Sequence, residues 1–144
     1  MDPIMRKEHD VEQPKLNSLD HLVLTVADLD ATIGFYTVVL GMAHAPFQVA
    51  DGSTRHALTF GNSKINLHKA GAEFEPKARN PVSGSADLCF LTETSLDIWQ
   101  AQLAAHGVTV EDGPVPRSGA QGSITSLYLR DPDGNLIEVS TLRR

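Results

Sequence analysis

Hydrophobic and polar residues alternate in short blocks along the chain, and these blocks predict strands and helices in a repeating order. The stretch 20–26, Asp-His-Leu-Val-Leu-Thr-Val, is rich in apolar and β-branched residues and predicts a strand. Apolar residues then recur at helical spacing as far as Gly41, a typical helix terminator, with Asp28 or Asp30 as the N-cap. Three further strands are predicted at 43–49, 55–60 and 64–69.

The same order of elements returns after residues 71–85, whose prolines, glycines and mixed charges predict a connector without helix or strand. A strand is predicted at 87–92, followed by a helix that is capped by Thr94 or Ser95 and ends at Gly107. The last three predicted strands are 109–115, 123–130 and 135–141.

These elements predict an α+β fold with a single domain at 18–142. It consists of two tandem βαβββ modules, module one at about 18–70 and module two at about 86–142. Residues 1–17 are polar, contain two prolines and show no apolar periodicity, so we expect a loose N-terminal arm.

Residue spacing supports a duplication. His21 and Asp87, each the second residue of its predicted strand, are 66 positions apart, as are the two glycines that end the helices. His68 and Glu138 are 70 positions apart in the fourth predicted strands. We therefore predict that His21 is equivalent to Asp87, and His68 to Glu138, with a net insertion of four residues in module two.

The overall composition excludes several classes of protein. The formal charge is −6 and the basic residues form no stripe, so no nucleic acid is expected as a partner. No apolar run is long enough to cross a membrane and the N-terminus lacks the apolar stretch of a signal peptide, which predicts a cytoplasmic protein. Cys89 lies within an apolar run, so we expect a small buried residue rather than a nucleophile.

Strand periodicity places the polar residues of the first and fourth strands opposite the apolar face. His21 lies on the face opposite Leu22, and Asn66 and His68 share one face of their strand. Asp87 and Glu138 occupy comparable positions in module two. Two imidazoles and two carboxylates suit Ni²⁺, Zn²⁺, Co²⁺, Mn²⁺ or Fe²⁺, and the set lacks the thiolates of a soft structural site. A single histidine here would more often be a polar residue on a half-exposed strand, but four related positions favour a metal site.

The strand starts Asp20-His21-Leu22 and Ala86-Asp87-Leu88, Gly41, and above all the segment Arg130-Asp-Pro-Asp-Gly-Asn-Leu-Ile-Glu-Val-Ser140 resemble the vicinal oxygen chelate superfamily. That superfamily includes glyoxalase I, bleomycin resistance proteins, fosfomycin thiol transferases, epimerases and extradiol dioxygenases. The resemblance implies two modules whose open sheets form a U-shaped cavity, usually within a homodimer. It also implies metal ligands from the first and fourth strands of each module, which here are His21, His68, Asp87 and Glu138.

The resemblance further implies a small-molecule substrate with vicinal oxygens, such as the hemithioacetal of methylglyoxal with glutathione as co-substrate, and a glyoxalase-like lyase or isomerase. Glu138 or Asp87 would be the catalytic base. Extradiol dioxygenases have histidine at the position of Asp87, which argues against ring cleavage. Asp87 is also shorter than glutamate and so is either a ligand or only a base. Thiol transfer, epimerisation, another dioxygenase reaction and metal-free binding of a small molecule remain alternatives.

Substrate binding requires polar or basic groups near the cavity. Asn66 is one candidate. Among the arginines, Arg117 and Arg130 are the main candidates, with Arg55 and Arg79 as further ones. Arg117 is favoured because it lies in the segment 116–122, where glycines would let backbone N–H groups approach a ligand.

Overall fold

The computed structural model describes residues 12–143, and the predicted α+β fold with two βαβββ modules is confirmed. Most of the predicted arm, residues 1–11, lies outside the described residues, while 12–20 contain no helix or strand. Module one contains β1 (His21–Val26), α1 (Leu29–Gly34), β2 (Ala43–His44), β3 (Phe47–Gln48), β4 (Thr54–Phe60) and β5 (Ser63–Lys69). Module two contains β6 (Asp87–Leu91), α2 (Leu96–Ala105), β7 (Asp112–Gly119), β8 (Gly122–Arg130) and β9 (Leu136–Leu142).

Each module forms its own open mixed sheet. In module one the strand order is β1-β5-β4-β2, with β3 paired to β4, and in module two it is β6-β9-β8-β7. The first strand of each module pairs in parallel with the last, and the other pairs are antiparallel. Consequently β1 and β6 are equivalent edge strands, and each has a strand of its own sheet on one side only.

The caps predicted for the two helices are present. Asp28 accepts a hydrogen bond from the backbone N–H of Ala31, and Ser95 accepts one from Ile98. After Gly34, α1 continues as a π-helical segment, Phe35–Val39, and the chain turns at Gly41 with a φ of 79°. These caps satisfy backbone donors that a helix leaves free at its first turn.

Both modules contribute to one hydrophobic core. Leu24 and Leu67 from the first sheet and Leu127 and Ile137 from the second belong to the same cluster of buried side chains, which the helix residue Leu103 also joins. The face of each sheet turned away from this core is here called its open face. No helix within residues 12–143 has the length and apolar character to cross a membrane.

Two strands differ from the prediction. The strand expected at 43–49 is broken into β2 and β3 around Pro46, which has no N–H for a sheet hydrogen bond. The strand expected at 109–115 begins later, at Asp112, and runs to Gly119. Arg117 therefore lies in a strand, and the expected glycine-rich loop is a tight hairpin between β7 and β8.

The segment 131–135 holds the two modules together. The Asp131 carboxylate is buried, and it accepts hydrogen bonds from Tyr36 Oη at 2.7 Å, Asn135 Nδ2 at 2.8 Å and the backbone N–H groups of Asp133 and Asn135 at 2.9 Å. Asn135 Oδ1 accepts from the backbone N–H of Ala86, just before β6. The Asp-Pro-Asp-Gly-Asn segment thus orders both the π-helical segment that follows α1 and the start of β6, so in this chain it acts structurally rather than chemically.

Candidate functional site

The candidate residues of β1 and β6 meet at the junction of the two modules. His21 and Asp87, the first residues of these equivalent edge strands, line one cleft of about 500 Å³, here called the seam cleft. Lys64 and Cys89 line it too, beside apolar residues of both strands. The structure therefore brings an imidazole and a carboxylate from different modules to a single opening.

His21 is oriented by its sequence neighbour. Its Nδ1 lies 2.8 Å from Asp20 Oδ2, and this hydrogen bond to the imidazole lowers the pKa of the Asp20 carboxyl group. Within residues 12–143 the Nε2 atom of His21 has no hydrogen-bond partner. A carboxylate bound to one ring nitrogen leaves the other as a directed acceptor, which is the usual arrangement of a histidine that binds a metal ion.

Glu138 lies on the same open face as Asp87, one strand further into the sheet. In the parallel ladder it pairs with Cys89, two residues after Asp87, so Glu138 and Asp87 are diagonal neighbours. Ser126 Oγ donates to Glu138 Oε2 at 2.5 Å and lies 2.7 Å from Ser140 Oγ. Both serines are fully buried, so Ser126, itself in contact with Ser140, holds one oxygen of Glu138 in place.

Tyr128 links Glu138 to Arg117. Tyr128 pairs with Glu138 across β8 and β9, and its Oη accepts a 3.0 Å hydrogen bond from Arg117 Nε. Desolvation is the main cause of a raised pKa for the Tyr128 hydroxyl; the Arg117 hydrogen bond opposes this and the Glu138 carboxylate adds to it. The predicted substrate-binding residue Arg117 thus lies on the Glu138 side of module two. There its guanidinium forms an ion pair with the Asp112 carboxylate, 3.6 Å away.

The pairing register corrects the predicted equivalence of His68 and Glu138. His21 pairs with Lys64, and Asp87 pairs with Leu136. Two residues further along each fourth strand lie Asn66 and Glu138, so Asn66 is the counterpart of Glu138. The counterpart of His68 is Ser140. The spacing argument failed because the counterparts are not 70 positions apart in every strand: Thr59 corresponds to Arg130, 71 positions later, and Asn66 to Glu138, 72 positions later.

His68 lies apart from the seam cleft. It pairs with Thr25, four residues along β1 from His21, which is about 13 Å at roughly 3.3 Å per residue. Its imidazole is 9% exposed and packs edge-on against Phe74 of the connector, with the ring centroids 5.5 Å apart. Burial, followed by the Arg55 guanidinium, lowers the pKa of His68. The structure therefore does not group His68 with His21, Asp87 and Glu138.

Cys89 is exposed on the open face of module two, which corrects the expectation of a buried residue. Its Sγ lies 3.4 Å from Ser140 Oγ, and desolvation raises the pKa of the thiol, with the negative charges of Glu138 and Asp87 adding to the shift. The thiol is therefore protonated near neutral pH and makes a poor nucleophile. Cys89 is nevertheless a neighbour of Glu138, which the apolar sequence around Cys89 did not indicate.

Arg130 makes an ion pair away from the seam cleft. Its Nε and Nη2 atoms donate to the two carboxylate oxygens of Glu111 at 3.1 and 2.9 Å. Both side chains are about half exposed, at 49% and 51%, so the pair contributes little to stability. We expect Arg130→Gln to leave the midpoint of urea unfolding almost unchanged, because an exposed ion pair contributes little. A clear fall in the midpoint would show that the pair has a larger structural role.

The donor types fit a divalent metal ion. One imidazole and two carboxylates provide the nitrogen and oxygen ligands that Mn²⁺, Fe²⁺, Ni²⁺ or Zn²⁺ accept. In the part of one chain that the structure describes, however, no three such side chains converge closely enough to hold an ion. The site consists of two parts: His21 from module one, and Asp87 with Glu138 from module two.

Three residues near Glu138 were not predicted from the sequence: Ser126, Tyr128 and Ser140. The pattern of β8 did contain a signal. Ser126 and Tyr128 lie on one face of this strand, and the buried residues Leu127 and Leu129 lie on the other. Polar residues at alternate positions of a strand beside Glu138 could have identified two of them.

Paired βαβββ modules with open sheets and ligand-type side chains on their first and fourth strands define a class of small α+β proteins. The model of the Glyoxalase/Bleomycin resistance protein/Dioxygenase superfamily matches residues 18–139. The chain belongs to this superfamily, as its terminal motif predicted.

Several relatives are similar over nearly the whole chain. The virulence protein STM3117 of Salmonella typhimurium is 49% identical over 134 residues, which cover 93% of this chain and 90% of that protein. The glyoxalase domain-containing protein RDO1 of Mycosarcoma maydis is 54% identical over 129 residues, covering 90% and 70% of the two chains. An integron cassette protein of V. Pseudocholerae matches in structure with a TM-score of 0.87 and 56% identity, over 92% of this chain and all of that one.

More distant matches have names that state an activity. A metallothiol transferase FosB of Staphylococcus epidermidis is 30% identical over 129 residues, covering 88% of this chain and 83% of that protein. A lactoylglutathione lyase from Agrobacterium tumefaciens matches in structure with a TM-score of 0.66 and 25% identity, over 88% and 95% of the two chains. The superfamily therefore contains enzymes with different reactions on this fold.

Proposed function

We propose that this protein is a divalent-metal-dependent enzyme of the glyoxalase type that acts on a small substrate with vicinal oxygens. The observation that carries the proposal is the seam cleft, where His21 and Asp87 come from equivalent strands of two modules. Glu138 lies on the same open face as Asp87. We propose His21, Asp87 and Glu138 as the metal-binding residues, and we leave out His68 because of its distance from them.

The chemistry assigned to each residue follows from its contacts. A divalent metal ion, when bound, would polarise the two substrate oxygens and so acidify the adjacent C–H group. The Glu138 carboxylate removes the carbon-bound proton and returns it to the neighbouring carbon, so no co-reactant is consumed. Ser126 fixes one oxygen of Glu138, which leaves the other free to face the substrate. Asp87 binds the ion or shares the role of base.

The substrate class follows from the residues around the cleft. Its walls combine apolar side chains such as Phe60, Phe90 and Leu91 with the polar groups of His21 and Asp87. A cleft of about 500 Å³ suits a small molecule. The hemithioacetal of methylglyoxal and glutathione is the first substrate to test, because a lactoylglutathione lyase has this fold.

Thiol transfer is the second candidate. It is supported by three FosB relatives, which are 26–30% identical over 88–91% of this chain. Such a reaction needs an external thiol and an electrophilic substrate, and would use the same three residues to hold the metal. Metal binding without turnover of the hemithioacetal would favour this candidate.

We also propose that a second copy of the chain completes the site. Within one chain the three ligand-type residues do not converge, and Val23 and Leu91 on the open faces are 46% and 49% exposed. Exposed apolar residues on an open sheet favour association. We expect size-exclusion chromatography with light scattering to give twice the 15.6 kDa chain mass. A monomer at micromolar concentrations would contradict the proposal of a shared site.

The metal requirement can be tested by titrating the chelator-treated protein with Mn²⁺. Mn²⁺ is preferable to Ni²⁺ because His44 and His56 form an exposed pair, with 2.9 Å between Nε2 and Nδ1, that would attract a more strongly imidazole-binding ion. We expect one Mn²⁺ per chain, and an affinity at least about tenfold weaker in His21→Ala. His106→Ala is the matched control, since His106 is exposed at the end of α2. Failure of the wild-type protein to bind would favour a metal-free binding protein.

A further inference from the structure

The connector covers a second pocket that none of the roles above uses. Residues Pro76, Lys77, Ala78 and Pro81 close over the open face of module one. The half-open pocket of about 250 Å³, here called the connector pocket, is also lined by Val23, Thr25 and His68. It could hold about eight water molecules at roughly 30 Å³ each, so it is smaller than a site for a whole ligand and suits part of one.

Two side chains on the pocket floor can form hydrogen bonds with a ligand. Thr25 and His68 are paired across β1 and β5, and both line the pocket. Neither side chain makes a hydrogen bond to another residue of the described part, 12–143. A neutral imidazole and a hydroxyl together offer both donors and acceptors. Such a pair matches an amide or hydroxyl group of a ligand.

Phe74, a residue of the connector, holds the His68 imidazole in position. Phe74 packs edge-on against the imidazole, and the guanidinium of Arg55 lies over the Phe74 ring, 3.8 Å from the centroid of that ring. The contact with Phe74 limits the motion of His68, so the imidazole has a defined position on the pocket floor. The lowered pKa of His68 agrees with a neutral ring in this position.

The charges around the pocket favour an uncharged ligand group. Lys77, the charged residue in its lining, lies 3.2 Å from Glu75 and 3.7 Å from Glu73. The remaining walls are the apolar side chains of Val23, Pro76, Ala78 and Pro81. Arg55 lies behind Phe74 and does not line the pocket, so a charged ligand group would have no unpaired opposite charge in the lining.

The pocket is aligned with the seam cleft along one strand. His21, Val23 and Thr25 alternate along the open face of β1, with His21 in the seam cleft and the other two in the connector pocket. A ligand held at His21 and extended along β1 would reach the pocket after about 7–13 Å, at roughly 3.3 Å per residue.

We infer that the connector pocket binds the distal part of the substrate, a short uncharged chain that carries an amide or hydroxyl group, and that the connector thereby determines specificity. This inference rests on the proposed function for the location of the chelating oxygens. The occupancy of the pocket itself does not depend on a metal ion, so the two claims can fail separately.

The pocket can be tested in the metal-free protein with butyramide as the probe. We expect saturable shifts of the His68 ring ¹⁵N signals, with binding of butyrate and butylammonium at least about tenfold weaker because each buries a charge. Ala78→Trp fills the pocket from the exposed connector and should abolish the shifts. Ala72→Trp, also in the connector but outside the pocket lining, should preserve them. Absence of saturable shifts in the wild-type protein would overturn the inference.

The link to the substrate can be tested in the Mn²⁺-loaded protein with hexano-, octano- and decanohydroxamate, which present vicinal oxygens on chains long enough to extend from His21 into the connector pocket. We expect affinity to rise about fourfold per added methylene in the wild type and in Ala72→Trp. In Ala78→Trp it should not rise. Equal affinities in the wild type, beside normal Mn²⁺ and butyramide binding, would refute a role of the pocket in substrate binding while leaving the metal site intact.

Discussion

Asp131→Ala should lower the free energy of unfolding by about 3 kcal/mol or more. The substitution removes a buried carboxylate that accepts four hydrogen bonds and leaves the hydroxyl of Tyr36 without a partner at a fully buried position. The damage extends beyond the turn, because Asn135 also holds the backbone just before β6. Urea unfolding followed by circular dichroism measures the loss.

Asp51→Ala is the matched control for that prediction. Asp51 makes the same kind of turn contacts, accepting from the backbone N–H of Ser53 at 2.9 Å and its hydroxyl at 2.6 Å, but in an exposed hairpin of module one alone. We expect the loss to be much smaller than in Asp131→Ala, because water replaces the lost partner at this exposed site. Equal losses in the two variants would contradict the conclusion that the 131–135 segment holds the modules together.

Glu138→Gln should reduce kcat for the methylglyoxal–glutathione hemithioacetal by about a hundredfold or more. The amide keeps the shape of the side chain and can still accept from Ser126, but it cannot remove a proton. The side chain at position 138 keeps its hydrogen bond from Ser126, which in turn contacts Ser140, so thermal stability should change little. Formation of the thioester product at 240 nm gives the rate.

Glu93→Gln provides the control for charge, since Glu93 is exposed and lies outside the seam cleft. Its kcat should stay within about twofold of the wild-type value. If Glu138→Gln were fully active, Glu138 could not be the base, and Asp87 would be the remaining candidate. If the wild type bound Mn²⁺ but turned over no hemithioacetal, the isomerase proposal would fail in favour of thiol transfer.

Much of the fold could be predicted because local signals agree with tertiary packing. The apolar alternation at β1 predicted which residues enter the core: Leu24 and Val26 are buried and Val23 is exposed. The helix caps Asp28 and Ser95 were predicted because their side chains satisfy backbone donors that any helix leaves free.

The prolines explain the strands that were misplaced. Pro46 splits a strand that composition alone predicted as continuous. The strand predicted to end at 115 continues to Gly119, and β7 tolerates both Pro114 and Pro116 because it is an edge strand with one row of free backbone groups. Edge position depends on the arrangement of the whole sheet, which local sequence does not contain.

The relative placement of the candidate residues was predicted in part, and the error has one geometric origin. The first residues of β1 and β6, His21 and Asp87, were identified correctly as equivalents that meet at one opening. His68 was matched to Glu138 because equal spacing was assumed across two turns of unequal length. Only the ladder register shows that Asn66 occupies that position.

The connector shows a second limit of sequence reasoning. Its composition correctly predicted no regular element, but it gave no sign that Phe74 would stack on Arg55 or that Ala78 would close a pocket over His68. Such contacts join residues of the connector to strands that precede it in the chain, and they cannot be predicted from the hydrophobic periodicity of the sequence. The same applies to the contact between Cys89 and Ser140, 51 positions apart.

The central claim is that His21, Asp87 and Glu138 form the metal site, and anomalous diffraction from Mn²⁺-loaded crystals tests it most directly. We predict one strong peak per chain within about 2.0–2.3 Å of a His21 nitrogen and of carboxylate oxygens from Asp87 and Glu138, with the three ligands contributed by two copies of the chain. A peak at His68 or at the His44–His56 pair, with none at the seam cleft, would contradict the account.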